Sequence, residues 1–416
     1  MKDQRVVITG MGTLNPLGND IASFWENIVN GKSGADHITK FDTTNFKTKI
    51  ACELKEHDLT AHLTRIELKR TDPYVQYALY AASQALEDAG ISMDEIDPFT
   101  AGVIWGTGQG GLTTIEEALE EFHEENKTPH FNPLFIPKML GNMASGMIAL
   151  KFGFMGVNYT NQAACASANA AMMDAAMFIK QGKAKFIVVG GSDAPITPAT
   201  VGGFNALRAL STKNDSPATA SKPFDELRDG FVLSEGAAAL ILEDYEHAKA
   251  RGATIYAELV GTAITNDAYH MTAGHPKGVG AIRAMNDALK EADISAESIN
   301  YLNPHATSTP VGDAAEGEAI NKVWHAKGEK LKISATKSMT GHHLGAAGAI
   351  EAIICIQSIL HNCIPPTINS NSIDSQTLAN FQFIRGQAVT ADVTYAMNNS
   401  FGFGGHNAVS IFKEKP

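Results

Sequence analysis

The sequence predicts an α/β protein layered α/β/α/β/α and assembled from two similar halves. Three observations carry that prediction. Short β-branched or apolar runs ending in glycine alternate with longer alanine- and leucine-rich segments of helical period. One helical segment, residues 78–91, resembles another, residues 281–294, at an offset of about 200 residues, which points to a duplicated half rather than a solenoid. Each copy follows a strand pattern (5–10; 256–263) and precedes another (101–106; 299–303). Strands alternating with helices imply mostly parallel sheets covered by helices. The halves span residues 1–252 and 253–416. Sites in such folds gather at strand ends and helix N-termini, here at the junction of the halves.

Taken in order, the run from Arg5 to Gly12 reads as a buried strand closed by glycines. Its Gly10-Met11-Gly12 is too short and too common a pattern to mark a dinucleotide site. Asn19 and Asp20 offer caps to a helix opening at Ile21. Arg65, Lys69 and Arg70 stand ahead of a helix expected from about Pro73 to Ala89. Two readings fit these cations: a solvated helix entrance, the usual case, or a docking patch for an acidic partner. Residues 101–106, 186–191 and 237–242 are short apolar strands, the last after the polar loop Lys222-Pro223-Phe224-Asp225. An alanine-rich helix over 170–179 follows Cys165, and 345–359 is its counterpart in the second half. The glycine-dense run 398–407 closes the chain before a final strand. Glycines this dense imply a tight hairpin, or a loop whose N–H groups face a site.

Composition bounds the function. The chain has 416 residues, 44% of them hydrophobic, which is ample for a large core. A formal charge of -12 argues against a general nucleic-acid or membrane-surface binder, while a local basic patch stays open. Cys52, Cys165, Cys355 and Cys363 are scattered without metal-ligand spacing, against a zinc site or a disulfide framework. The charged start Lys2-Asp3-Gln4-Arg5 lacks the apolar core of a signal peptide, and no apolar run reaches membrane-spanning length. These features read as a soluble cytoplasmic protein in a reducing compartment.

Chemistry concentrates around Asn161 to Ala171, a stretch of small residues with Cys165 at its centre. Cys165 falls at or just before a helix N-terminus, where unpaired N–H groups and the helix dipole favour an anion. A thiol so placed is expected to have a lowered pKa and to act as a nucleophile. The bland reading is a buried structural cysteine, the commoner fate of a free thiol. The second half supplies partners. His305 follows a strand in Asn303-Pro304-His305-Ala306-Thr307, and His342 lies in Lys337-Ser338-Met339-Thr340-Gly341-His342, at the glycine-rich entry to the second alanine-rich helix. A lone histidine is more often structural; two at matching strand and helix ends shift that balance.

With those residues in view, the chain resembles an elongating β-ketoacyl-[acyl-carrier-protein] synthase of the type II kind over essentially its whole length. The likeness rests on the Ala164-Cys165-Ala166-Ser167 turn, Lys222 to Asp225 with Arg228-Asp229-Gly230-Phe231, His305-Ala306-Thr307, Lys337 to Gly348, and Gly402-Phe403-Gly404-Gly405. The resemblance implies the thiolase-like five-layer fold, a homodimer, an acyl-carrier-protein partner and no organic cofactor. It implies Cys165 as the acyl-accepting nucleophile, His305 and His342 as donors to a malonyl-derived enolate, and Lys337 as the electrostatic support of His342. The N–H groups of Cys165 and Phe403 would form the oxyanion hole. Thr307, Thr309 and Thr272 would face the substrate, and Phe401 and Phe403 would belong to a gating loop. Asn303, Glu316, Glu351, Asn399 and Ser400 match a buried polar cluster that holds a monovalent cation in some members, with a structural role ranked above a catalytic one. Carrier docking would fall on Lys69, Arg70 and Arg208, with Ile66 where a lysine is familiar. Gln109 replaces an aliphatic residue at the far end of the acyl pocket, which implies shorter or partly polar chains. His406 replaces a usual threonine and His343 is an extra histidine, each read as a surface or packing residue. Two alternatives accompany this reading: a ketosynthase dedicated to a polyene or polyketide product, and a non-catalytic chain-length subunit, which Cys165 disfavours.

Overall fold

The computed structural model describes residues 4–92, 96–325, 330–373, 378 and 381–415. Lys2 and Asp3 of the charged start lie outside the described residues. Among these residues, one sheet has eleven strands: β1 (Val6–Leu14), β2 (Ala101–Gly106), β3 (Asn158–Asn161), β4 (Phe186–Asp193), β5 (Gly236–Asp244), β6 (Ala257–Asn266), β7 (Tyr301–Asn303), β8 (Lys332–Ile333), β9 (Gln382–Phe383), β10 (Tyr395–Gly402) and β11 (His406–Glu414). The helices that matter most are α1 (Pro73–Ala89), α2 (Ser167–Lys180), α3 (Val279–Glu291), α4 (Pro310–Trp324) and α5 (Ala347–His361).

The strand order is β9-β8-β7-β10-β11-β6-β1-β5-β4-β2-β3. Counted outward from its centre, β1-β5-β4-β2-β3 in one half mirrors β6-β11-β10-β7-β8 in the other, with β9 added at the edge. The halves join where Val7 pairs Glu258 and Ile8 pairs Ala257. Helix α1 covers the outer face of β1, β5 and β4, and α3, backed by α4, covers β6 and β11. Between the halves lie α2 and α5. Helix α2 packs on β2 and β4 and also on β6 and β11, and α5 packs on β10 and β11 and also on β4 and β5. This gives the thiolase-like order α/β/α/β/α.

The sheet is mixed, which corrects the expectation of mostly parallel strands. β2 runs parallel to β3 and β4, and β7 runs parallel to β8 and β10. β5 is antiparallel to β1 and β4, and β11 is antiparallel to β6 and β10. The reason is connectivity. β4 follows β3 through the α2 crossover and runs parallel to it and to β2 between them, whereas β10 and β11 are joined by a turn too short for any crossover.

The local signals were sound. Asp20 caps the helix Ile21–Val29, with its carboxylate accepting from Ser23 N at 2.7 Å. Asp72 caps α1, Pro73 occupies its first turn, and Gly90 ends it in the left-handed conformation. The basic run is itself a short helix, Arg65–Arg70, closed by a Thr64–Glu67 capping box. One correction concerns apolar length: Leu344–His361 is long and apolar enough to cross a membrane. It packs as a core element, with every residue from Ala347 to Ile359 buried. Each fully buried isoleucine there contributes roughly 1.5–3 kcal/mol.

Candidate active site

The nucleophile turn is built by small residues that let three segments meet. Ala164–Ala166 forms one 3-10 turn before α2, and Ala164 takes the left-handed φ of 50°. The Ser167 hydroxyl donates to Ala164 O at 2.6 Å and accepts from Ala163 N at 2.9 Å, bracing the turn. Gly402 closes in from β10: a Cβ there would lie 2.6 Å from Ala163 O and 3.1 Å from Cys165 N. The second half repeats the device. Leu344–Ala346 forms a 3-10 turn before α5, with Leu344 at φ 49°. The expected correspondence between the two alanine-rich helices is therefore present down to the strained residue at each entrance.

Cys165, His305 and His342 converge. His342 Nε2 stands 3.1 Å from Cys165 Sγ. The His305 and His342 rings meet edge to face at 5.3 Å, and the donor atoms of all three residues lie within 4.8 Å of one another. Phe231 packs edge-on to His342 at 5.2 Å, and Phe401 flanks His305 at 5.9 Å. A cysteine with two imidazoles is a donor set that suits zinc; equally, it is a thiol with a proton acceptor and a second N–H donor.

His305 is held by its backbone. Glu316, from α4, accepts from His305 N at 2.8 Å and Ala306 N at 2.7 Å, and Asn399 Nδ2 donates to the same carboxylate at 3.2 Å. Lys337 is buried behind the histidines and paired with Glu351. Burial pushes both His305 and His342 well below the usual imidazole range, and the Lys337 charge adds to it. Both rings are therefore neutral at pH 7. Among the described residues neither Nδ1 has a hydrogen-bond partner, so no contact at Nδ1 fixes the tautomer of either ring.

The thiol differs from expectation. Burial pushes Cys165 up to about 12, and Asp193 adds to the rise. The Lys337 charge and the N–H groups of Phe403 and Cys165, both aimed at the sulfur, oppose it without prevailing. Desolvation outweighs the helix entrance, so the resting group is a thiol hydrogen-bonded to a neutral imidazole.

Cys165, His305 and His342 line one cavity of about 550 Å³, together with Gln109, Thr272, Thr307, Thr309, Arg208, Phe401 and Phe403. Thr307 and Thr309 hydroxyls touch at 3.1 Å. The glycine-dense segment is a hairpin, with Gly402 paired to His406, and it also presents the Phe403 N–H to the site. Lys69, Arg70 and Ile66 are exposed on the helix Arg65–Arg70 and do not line the cavity. The polar cluster is buried in separate pairings: Asn303 with Thr336, Glu316 with Asn399, Glu351 with Lys337, and Ser400 with Asn169. Among the described residues Glu351 Oε2 and Asn399 Oδ1 are buried without a hydrogen-bond partner, the kind of oxygen atom that can ligate a cation. His343 is buried against Ser234 Oγ at 2.9 Å, a packing histidine as expected.

Asp193 is the residue that sequence reading missed. It ends β4 and accepts from Thr107 Oγ1 (2.8 Å), Gly108 N (2.9 Å), Gln109 N (3.0 Å) and Gly345 N (2.8 Å). One carboxylate thus ties the loop after β2 to the α5 entrance of the other half. Burial lifts it to about 6, against those donors. Its only sequence signal is an acid closing a buried strand.

Comparison with known proteins follows the same outline. Residues 3–248 match the family described as "Beta-ketoacyl synthase, N-terminal domain", and residues 256–371 match "Beta-ketoacyl synthase, C-terminal domain". The chain is 43% identical over 413 residues to the 3-oxoacyl-[acyl-carrier-protein] synthase 2 of Staphylococcus aureus (strain COL), covering 99% of each. Among solved structures, a β-ketoacyl synthase from Burkholderia phymatum STM815 superposes with a TM-score of 0.91 at 35% identity, covering 99% of this chain and 100% of that one. A type II polyketide ketosynthase, solved with its acyl-carrier protein and bound to a hexaketide, gives 0.92 at 34% identity over 100% of both chains.

Proposed function

The chain belongs to the β-ketoacyl synthase family, and on that premise we propose how its pocket divides the work. It is an acyltransferase-class ketosynthase of elongating fatty-acid condensation. In our reading, Cys165 Sγ attacks the thioester carbonyl of acyl-[acyl-carrier protein] while His342 Nε2 takes the thiol proton. The tetrahedral oxyanion lies against the N–H groups of Cys165 and Phe403, each such donor being worth roughly 3–4 kcal/mol of barrier. The C–S bond to the carrier breaks, and its thiolate leaves with the proton. In the second half-reaction the malonyl C–C bond to the carboxylate breaks and releases CO2. Neutral His305 and His342 offer N–H to the enolate oxygen. The enolate carbon attacks the acyl carbonyl on Cys165, a C–C bond forms, the C–S bond to Cys165 breaks, and the sulfur leaves as a thiolate that takes up a proton from water. The products are β-ketoacyl-[acyl-carrier protein], CO2 and free carrier protein.

The observation that carries this reading is the 3.1 Å contact between His342 Nε2 and Cys165 Sγ with His305 beside it. Lys337, paired with Glu351, adds its charge to the burial that keeps both imidazoles neutral. Asn303, Glu316, Glu351, Asn399 and Ser400 would hold a monovalent cation as a structural support. Arg208 at the cavity mouth, with Lys69 and Arg70, would receive the acidic carrier. Exposed Leu119, Phe131, Ile136 and Leu140, in the segments before edge strand β3, suit burial in a homodimer. Cytoplasmic residence accords with a soluble type II enzyme. We place the boundary of the halves at 252/253, between the helix Tyr245–Ala250 and β6.

Intact-mass spectrometry after incubation with acyl-carrier-protein thioesters of graded length tests this reading. A single acyl adduct on the wild type, absent in Cys165→Ala, is expected; equal adducts on both sink it. A second reading, service to a polyketide-type pathway, is favoured by Gln109 in the cavity wall. Adducts of short or oxygenated chains alone would select it.

A further inference from the structure

We propose that Gln109 makes this pocket discriminate in favour of acyl chains that carry a hydrogen-bond acceptor, such as an oxo or hydroxyl oxygen, beyond the thioester. The proposal rests on the acyl-transfer reading given above. Its backbone is fixed first: Gln109 N donates to Asp193 at 3.0 Å, so the side chain starts from a rigid point on the cavity wall.

The amide is then oriented by a polar chain leading away from the cavity. Glu116 accepts from the Thr197 hydroxyl and from Ala199 N at 3.1 Å. Thr197 Oγ1 lies 3.2 Å from Thr200 Oγ1 and accepts from Thr200 N at 3.3 Å. Thr200 in turn donates its hydroxyl to Gln109 Oε1 at 3.1 Å. With the carbonyl committed to Thr200, the amide nitrogen is the free end. Gln109 Nε2 has no hydrogen-bond partner among the described residues and is not a buried atom; because Gln109 lines the cavity, we take its N–H donors to be the groups a bound chain meets there.

An alkyl chain packed against those donors removes them from water and returns nothing, whereas a chain oxygen replaces the lost water. Sites built to hydrogen-bond a substrate group discriminate chiefly through the polar group left unpaired by the wrong substrate. For one neutral, partly exposed donor the expected preference is about tenfold. Phe401 and Phe403 face the same cavity, so the remainder of the chain still meets apolar wall.

The test measures single-turnover acylation of Cys165 by intact mass, using equal-length thioesters: octanoyl and its 3-oxo, 5-oxo and 7-oxo forms. The proteins are the wild type, Gln109→Leu and Thr200→Val. The wild type is expected to favour at least one oxo isomer about tenfold over octanoyl. Gln109→Leu should abolish or invert that ratio, and Thr200→Val should weaken it by freeing the amide to rotate. Acylation of the wild type by all four at one rate, or an unchanged ratio in Gln109→Leu, overturns the proposal alone. No acylation by any thioester overturns the acyl-transfer reading and the proposal with it.

Discussion

Gly10 and Gly261 hold the same place in the two halves. A Cβ on Gly10 would lie 2.1 Å from Ala85 O and 2.8 Å from Ala89 Cβ; one on Gly261 would lie 2.3 Å from Ala288 O and 3.0 Å from Ala292 Cβ. Each glycine lets the outer helix, α1 or α3, cross its strand in backbone contact. Gly10-Met11-Gly12 is therefore a packing motif, with Gly12 as close to Ala81 O at 2.2 Å.

Gly10→Ala and Gly261→Ala should each destabilise the protein by about 3 kcal/mol, because backbone and not a flexible side chain must yield. Denaturant unfolding measures this, and a loss of unfolding free energy less than a fifth of that size would contradict the close crossing.

The two histidines should separate kinetically. His305→Ala is expected to leave Cys165 acylation within about tenfold of wild type while lowering condensation by roughly 10²–10³, the scale of one lost oxyanion donor. His342→Ala removes the proton acceptor at the thiol as well, so both half-reactions should fall, acylation by roughly 10²–10⁴. Rapid-quench acylation followed by malonyl-carrier addition reads both steps. Identical profiles for the two variants would dissolve the assignment.

Cys165 of the free enzyme should react slowly with iodoacetamide at neutral pH. With the thiol pushed up to about 12, the thiolate fraction rises about tenfold per pH unit across the accessible range. The alkylation rate should climb from pH 7 to pH 10 without a plateau. A plateau near pH 8 would mean that the helix entrance dominates burial after all.

Stability should change little as pH falls from about 6.5 to about 4.5, then drop. Burial depresses His305, His342 and His343, the last to about 3, so below 6.5 the unfolded chain takes up protons that the native state refuses and stability is lost. Burial raises Asp193 to about 6, and Asp313 and Glu351 to about 7; these bind protons in the native state first and restore stability over the same interval. That gain is complete once the unfolded carboxylates protonate near pH 4. Below it the histidine loss continues, joined by Glu243, which is held low against the cost of its burial by Arg251, Thr9 and His247. Equilibrium unfolding at pH 7, 5 and 3.5 distinguishes this from a steady decline.

Lys337→Met should cost about 3–5 kcal/mol by stranding the buried Glu351 carboxyl. The double variant Lys337→Met, Glu351→Leu should recover most of it while condensation becomes somewhat more sensitive to acid, because the imidazoles lose the Lys337 charge that adds to burial in keeping them neutral. Additive losses in the double-mutant cycle would show that the pair is not coupled.

Much of this molecule was legible in its sequence. The β-branched runs, the alternation of helix and strand, the caps at Asp20 and Asp72, and the duplicated helical segment determined the secondary structure and the two-half plan, because period and capping are local properties. Small residues around Cys165, and histidines at a strand end and a helix entrance, marked the candidate nucleophile and its partners. Tertiary structure alone decided the rest. Strand direction depends on which connections have room for a crossover, so the mixed sheet was not readable from alternation. The thiol pKa depends on how much water the assembled pocket removes, so a helix entrance that favours a thiolate in isolation yields to burial here. Asp193 gained its role only when the loop after β2 and the entrance of α5, 152 positions away at Gly345, were brought to one carboxylate. Gln109 announced a polar group in the pocket from the sequence; the direction in which it points was fixed by Thr200, which no local pattern connects to it.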